Sequence, residues 1–276
     1  MDTHVKVDGV QLRYRDSGGG GPAVLMLHGI GGSLEMWSAQ FAETNRHLRL
    51  IALDLPGHGL SDFGDQPYSM KKFAALAWRF ADTLQLERVH LVGNSMGGSI
   101  SLRMLAQQPA RVGSVLLAAA ATLGRDAPLP FRLMCLPGLG SLMTRAGPMA
   151  VKQQIQAIFN PSYPVPDTIR ETITRNVMRP RAQAAFLDTL RLMAGPGGQS
   201  RPLIEESLAT LRSATAPLLL LHGRQDRVIP VAHSEAAHAL NPRLRLQTID
   251  GCGHTPQLEQ PEVFNAALRA LVDESR

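Results

Sequence analysis

Two patterns of hydrophobic and polar positions alternate along most of this chain. Short apolar runs occupy Ala23–Leu27, Leu48–Leu53, Val89–Val92, Val112–Ala118, Leu218–Leu221 and Leu244–Ile249. Runs of this length, built from aliphatic residues and bounded by turn residues, predict strands buried on both faces. Between them, apolar positions recur at helical spacing and predict helices over Leu34–His47, Ser69–Leu84, Ser95–Gln107, Val231–Leu240 and Pro261–Val272. The second of these buries Phe73, Leu76, Ala77, Phe80 and Leu84 on one face, and Ser33 is the candidate cap of the first. Trp37 and Trp78 fall on helical faces and are expected in the core or a pocket wall. Near the start, Val5–Val7 and Gln11–Arg15 alternate about Asp8-Gly9, the signature of a hairpin. The order implies an α/β fold, a mostly parallel twisted sheet with helices on both faces.

That alternation fails between about Thr122 and Ala214. The segment shows no strand-like run, only helical stretches punctuated by prolines from Pro128 to Pro196. It is too long for a plain loop. The expected organisation is therefore a core of residues 1–121 and 215–276, with a helical cap at 122–214 inserted after one strand. The cap holds Met134, Met143, Met149, Met178 and Met193, side chains that either pack its helices or adapt to apolar ligands.

Composition changes this picture little. The net charge is +5, which raises the question of nucleic acid. Residues 121–200 hold nine basic groups and four acids, so the excess is local to the cap. It is scattered, without a basic run or interleaved aromatics, and a nucleic-acid partner is not expected. No apolar run reaches the length of a membrane span, and Met1–Val10 lacks the pattern of a secretory signal. Cys135 and Cys252 form no motif with each other. A reduced, cytoplasmic setting is the economical expectation.

The chemistry concentrates in three places. Val89–Val92 runs straight into Gly93-Asn94-Ser95-Met96-Gly97-Gly98, and a helix begins at once. A serine in that frame sits on a strained turn with its hydroxyl above the sheet, flanked by glycines because side chains there would meet backbone. The strand Leu218–Leu221 leads into a loop presenting Asp226, and the strand Leu244–Ile249 into one presenting His254 between Gly253 and Thr255. Ser95 as nucleophile, His254 as general base and Asp226 as the acid that orients it make a hydrolytic triad. Asp126, which also follows an apolar strand, is a second candidate acid. Finally, His28-Gly29-Ile30-Gly31-Gly32 ends a strand in a glycine turn with open amides. The amides of Ile30 and Met96 are the expected oxyanion hole, with Gly31 in place of Ile30 if the turn is one residue looser; His28 is expected to brace the loop. The nine histidines show no metal-ligand spacing and the glycine turn is not a dinucleotide fingerprint, so neither metal nor cofactor is expected.

The His28-Gly29 turn, Leu53-Asp54-Leu55-Pro56-Gly57-His58-Gly59-Leu60-Ser61-Asp62, the Ser95 elbow and Gly253-His254 together resemble the α/β-hydrolase superfamily, over Val5–Ala121 and Pro217–Val272. The resemblance implies that Asp54–Asp62 is a structural turn under the site. It is nearest to bacterial esterases, enol-lactonases and carbon–carbon bond hydrolases of aromatic degradation. It departs from the last group after His254, where Thr255-Pro256-Gln257-Leu258-Glu259 replaces an aromatic-containing run. Serine at position 95, where epoxide hydrolases and haloalkane dehalogenases carry aspartate, argues against both. The expected function is hydrolysis of small or medium acyl esters through an acyl-enzyme at Ser95. The alternatives are a carbon–carbon or enol-lactone hydrolase using the same triad, and a hydrolase-fold ligand receptor or signalling protein with little turnover. Arg175, Arg179, Arg181 and Arg191 are candidates for one cap cation that meets a substrate carboxylate.

Overall fold

A computed structural model describes residues 2–64 and 68–275 of the chain. The strands are β1 (Asp2–Val7), β2 (Val10–Asp16), β3 (Ala23–Leu27), β4 (Arg49–Leu53), β5 (Val89–Asn94), β6 (Val112–Ala118), β7 (Ala194–Gly195), β8 (Gly198–Gln199), β9 (Leu218–Gly223) and β10 (Leu244–Ile249). Eight of them form one sheet in the order β1-β2-β4-β3-β5-β6-β9-β10. The pairs β1–β2 and β2–β4 are antiparallel, and every pair from β4 to β10 is parallel. The hairpin between β1 and β2 turns at Asp8 and Gly9, with φ of 47° and 83°. Positive φ at both central positions matches the twist of the flanking strands.

Helices follow as α1 (Met70–Thr83), α2 (Met96–Gln107), α3 (Leu129–Met134), α4 (Leu139–Met143), α5 (Pro148–Ile158), α6 (Asp167–Met178), α7 (Ala182–Met193), α8 (Arg201–Ser213), α9 (Val231–His238), α10 (Pro256–Glu259) and α11 (Pro261–Asp273). Because successive strand residues point to opposite faces, β3 sends Leu25 and Leu27 to one core and Val24 and Met26 to the other. The first core packs under α1 with Phe73, Trp78 and Phe80; the second packs under α11 with Trp37, Phe264 and Leu268. Both tryptophans are fully buried, as their helical positions imply.

Two expectations are corrected. Leu34–His47 is not an α-helix but two 3₁₀ turns, Leu34–Phe41 and Glu43–Asn45. The physical reason lies outside the segment. Its first amide, Leu34 N, is taken by the Asp54 carboxylate at 2.6 Å, so Ser33 caps nothing. The Ser33 hydroxyl instead donates to Glu35 at 2.6 Å. Further on, the Asn45 side-chain Nδ2 donates to the Gln40 carbonyl at 2.7 Å and tightens the chain locally. The second correction is that the inserted segment is not free of strands. β7 and β8 pair around Pro196-Gly197, but two residues per strand are too few for a period-2 pattern to show.

Apart from that hairpin, the regular elements between β6 and β9 are the helices α3 to α8, joined by turns. Phe159, Val165, Ile169 and Ile173 form a small core with Met36 and Leu258 of the sheet-bearing part. Residues of α3 to α7 line a cavity with Ser95 at the carboxyl end of β5, where open parallel sheets bind ligands, whereas α8 packs against α2 through Ser207 and Leu203.

Candidate active site

The geometry begins with β5. At its end Ser95 takes φ 55°, ψ −115°, a strained conformation of the kind found at functional sites. The surroundings hold it there. The Ser95 amide donates to the Ala118 carbonyl at 3.0 Å, and its carbonyl accepts from Gly98 and Ala121 at 3.0 Å each. A Cβ at Gly93 would stand 2.3 Å from the Gly97 carbonyl oxygen, and one at Gly97 would stand 1.9 Å from that of Leu27. Both glycines are therefore obligatory for so sharp a turn. Ser95 itself is nearly buried and lines a cavity of about 530 Å³.

His254 lies on the loop after β10 and lines the same cavity. Its Nδ1 is 2.7 Å from Asp226 Oδ2, which leaves Nε2 for a partner on the cavity side. Asp226 is fully buried and richly bonded. Its Oδ1 accepts from the Val228 and Ile229 amides at 2.7 and 3.0 Å, and its Oδ2 also meets His222 Nε2 at 3.0 Å. Burial works to raise this carboxyl, but the charge of His254 and the hydrogen bonds from His222 and His254 outweigh it. The net effect holds Asp226 well below the usual carboxylate range. His222 has no counterpart in the sequence reading; it closes a strand of leucines, and only the folded loop shows that it points at the acid. The other candidate acid, Asp126, is exposed and faces His233 at 3.5 Å.

A second unforeseen residue fixes the histidine loop. Glu259, buried, accepts from the Asn160, Gly253 and Thr255 amides at 2.8, 2.9 and 3.0 Å and from the Thr255 hydroxyl at 3.0 Å. The His254 amide donates to Ile158 of α5 at 2.9 Å, and Asn94 donates to the His254 carbonyl at 3.0 Å. One carboxylate thus ties the histidine loop to the helices above it. The stretch Thr255–Glu259 carried this signal as a Thr-x-x-x-Glu at helical spacing, but nothing local marked its partners.

The glycine turn after β3 supplies the near wall. Ile30 and Gly31 line the cavity, and a Cβ at Gly29 would lie 3.1 Å from Ser95 Cβ. Met96 opens α2 directly after Ser95, with its side chain in the core. Among the described residues, the Ile30 and Met96 amides have no hydrogen-bond acceptor in the protein. His28 braces the turn, accepting the Leu55 amide at Nε2 (3.1 Å) while Nδ1 meets the Gly29 carbonyl at 2.7 Å. Asp54 bonds Arg13, the Leu34 amide and the Leu60 amide at 2.7, 2.6 and 2.8 Å, so this stretch is a scaffold beneath the site.

His28 and His58 lie against each other with ring centroids 5.4 Å apart and planes tilted by 49°. Burial lowers both to about 4, and the neighbouring Arg13 cation adds to the effect on His28. An unfolded chain would bind both protons near its ordinary value of 6.5. Between those limits the unfolded state binds more protons, so stability is expected to fall as pH drops through this window. The slope is about 1.4 kcal/mol per pH unit for each histidine. Urea titrations from neutral pH downward check this, and the double variant His28→Gln with His58→Gln should flatten the slope.

The far wall comes from the inserted helices. Met134, Met143, Ile158 and Phe186 face the cavity. Met193 packs in the core, and Met149 and Met178 are exposed, so the five methionines divide between ligand wall, packing and surface. Of the four candidate arginines, Arg179 lines the cavity. It donates to the Gly59 carbonyl at 2.6 Å and lies 4.5 Å over Phe63. Arg175 is paired with Glu35 at 2.9 Å, Arg181 shares the Phe63 ring, and Arg191 faces Cys135 and Asp188.

A strained serine, a histidine held by a buried carboxylate and a glycine turn meeting at one cavity make the decisive comparison one of family. The family model of the alpha/beta hydrolases matches residues 24–267. The chain belongs to the alpha/beta hydrolase family. An uncharacterized protein of Mycobacterium tuberculosis (strain ATCC 25618 / H37Rv) is 31% identical over 97% of this chain and 80% of its own length. A 2-hydroxy-6-oxo-2,4-heptadienoate hydrolase of Pseudomonas putida is 30% identical over 94% of this chain and 92% of its own. Among solved structures, a membrane phospholipase A described as a bacterial virulence factor superposes with a TM-score of 0.83 at 26% identity, covering 100% of this chain and 86% of that one. This alpha/beta hydrolase therefore has the family's sheet and helices. Among its described residues no helix is long and apolar enough to cross a membrane, and no group of three or more His, Cys, Asp or Glu is placed to hold a metal ion.

Proposed function

We propose that this hydrolase cleaves carboxylic esters of small or medium acyl groups through an acyl-enzyme at Ser95. The observation that carries the reading is the 2.7 Å contact of His254 Nδ1 with buried Asp226 beside the strained Ser95. Asp226 holds the imidazole in the tautomer whose Nε2 is unprotonated. That nitrogen takes the proton as the Ser95 oxygen attacks the ester carbonyl. The amides of Ile30 and Met96 are aimed to receive the oxyanion, with Gly31 the substitute for Ile30. The imidazolium then protonates the leaving alkoxide, and water repeats the sequence on the acyl-enzyme. No cofactor enters the cycle. The inserted helices at 122–214 serve as the cap, and their Met134, Met143 and Phe186 select an apolar acyl group. Steady release of chromophore from short p-nitrophenyl esters is the test. A single slow modification without turnover would favour a ligand receptor instead.

A second reading has its own observation. Arg179 stands in the cavity wall, and the Pseudomonas putida relative is named for a dienoate substrate. In that reading Arg179 pairs with a substrate carboxylate and the same triad cleaves a carbon–carbon or enol-lactone bond. Breaking a desolvated charge pair costs about 2 kcal/mol or more, roughly thirtyfold in affinity. Arg179→Ala should then raise KM at least that much for a carboxylate-bearing substrate and far less for a neutral ester of equal size. Equal small changes for both would leave the neutral-ester reading.

A further inference from the structure

The apolar run Leu218–Leu221 of β9 ends on a histidine, and His222 is 0% exposed. A buried imidazole costs free energy unless its nitrogens find partners. Both do. Nδ1 meets the Ser234 hydroxyl of α9 at 2.7 Å, and Nε2 stands 3.0 Å from both Asp226 Oδ2 and the Ile229 carbonyl oxygen. An ionised carboxylate and a carbonyl only accept, so a hydrogen sits on Nε2 and is shared between them. The end of β9 comes close to the histidine loop because residue 223 is glycine; a Cβ there would stand 2.2 Å from the Gly253 carbonyl oxygen. A histidine that merely tied down the loop would need the Ile229 bond alone. This one also meets the oxygen that holds His254.

Asp226 Oδ2 therefore receives two imidazoles, His254 at 2.7 Å and His222 at 3.0 Å, while Oδ1 is filled by the Val228 and Ile229 amides. A carboxylate bonded on every side cannot turn. Each donor also draws charge from the oxygen it meets, and what His222 draws is withheld from His254. We infer that His222 is a positioning residue for the triad, which fixes Oδ2 toward His254 and moderates the pull of Asp226 on the His254 imidazolium, with Ser234 bracing the ring from behind. The inference rests on the reading of His254 as general base. Such a base must give up its charge near the working pH, and too strong a pull from its carboxylate would prevent that. The other ionisable groups around the pair are His233 of α9, which faces exposed Asp126, and Cys252 and Glu259 of the histidine loop. Burial lowers His233 and raises Cys252, so both stay uncharged near neutral pH. Arg224, paired with Asp250, and Arg227 are exposed cations of the loop between β9 and α9.

The test compares H222L, which removes the donor, with H222Q, which keeps an N–H near the place of Nε2. For a p-nitrophenyl ester, the acid limb of the kcat/KM profile should move to higher pH in H222L by about half a unit or more, the scale of one hydrogen bond. H222Q should stay closer to the parent. Proton NMR without substrate gives a second readout. The His254 Nδ1–H signal should lie further downfield in H222L than in the parent, because Oδ2 then attracts that hydrogen more strongly. In the parent itself, spectra of the 15N-histidine protein should show a hydrogen on His222 Nε2. An H222L that folds by circular dichroism and is slower, but keeps the parent's acid limb and His254 signal, would overturn the inference and leave His222 a packing residue. Parent spectra with no hydrogen on His222 Nε2 would overturn it too, even if H222L does not fold. The spectra need no turnover, so a parent protein that releases no chromophore would sink the catalytic reading separately.

Discussion

Asp226→Asn is expected to lower kcat by about 10⁴, the scale seen when the triad aspartate of another serine hydrolase is neutralised. The cause is specific to the bonding around this carboxylate. Its Oδ1 accepts two backbone amides and its Oδ2 stands between His254 and His222. An amide in its place keeps the shape but can turn an N–H toward His254 Nδ1. The imidazole then carries its proton on Nε2, the wrong side for taking one from Ser95. Asp126→Asn is the control, because Asp126 is exposed and faces His233 instead. Its effect on kcat should be small. Steady-state rates of the two variants on one p-nitrophenyl ester decide between the acids, and the reverse ranking would move the acid to the loop after β6.

Ser95→Ala is expected to abolish turnover without loss of folding. The strain of φ 55° at this position belongs to the backbone and is held by bonds from Ser95 N and O. Alanine meets the same strain, no more, and leaves the glycine contacts untouched. What it removes is the proposed nucleophile. Any residual rate should lie near the level that a serine hydrolase retains from its oxyanion site and binding alone, roughly 10³–10⁴ over water. Urea midpoints of the parent and variant should agree closely, which separates loss of chemistry from loss of structure.

Much of this architecture was legible from apolar periodicity because the sheet is buried on both faces. The six apolar runs became β3, β4, β5, β6, β9 and β10, with β3, β6 and β10 at the expected bounds and one end of each of the others shifted by one or two residues. Ser69 caps α1 by accepting the Lys72 amide at 3.1 Å, a local device visible in the sequence. Where long-range bonds decide the local structure, the pattern misled. Leu34–His47 reads as a helix, yet Asp54 takes its first amide and the segment winds as 3₁₀ turns. The site divides in the same way. Ser95, Asp226 and His254 stand at strand ends with their turn residues beside them, so sequence alone could propose them. His222 and Glu259 act through loop contacts that only the fold brings together, as Glu259 with the Asn160 amide 99 residues away. The four cap arginines could not be sorted either, since Glu35 and Phe63, which engage Arg175 and Arg181, lie far off in the chain.

The proposed covalent intermediate on Ser95 is open to trapping by a phosphonate that mimics the tetrahedral state. The parent protein is incubated with an alkyl p-nitrophenyl phosphonate, and intact mass and peptide mapping are then measured. One adduct per chain is expected, on Ser95, formed in step with loss of esterase activity and absent from Ser95→Ala. An adduct on another residue, or full labelling of the alanine variant, would contradict it.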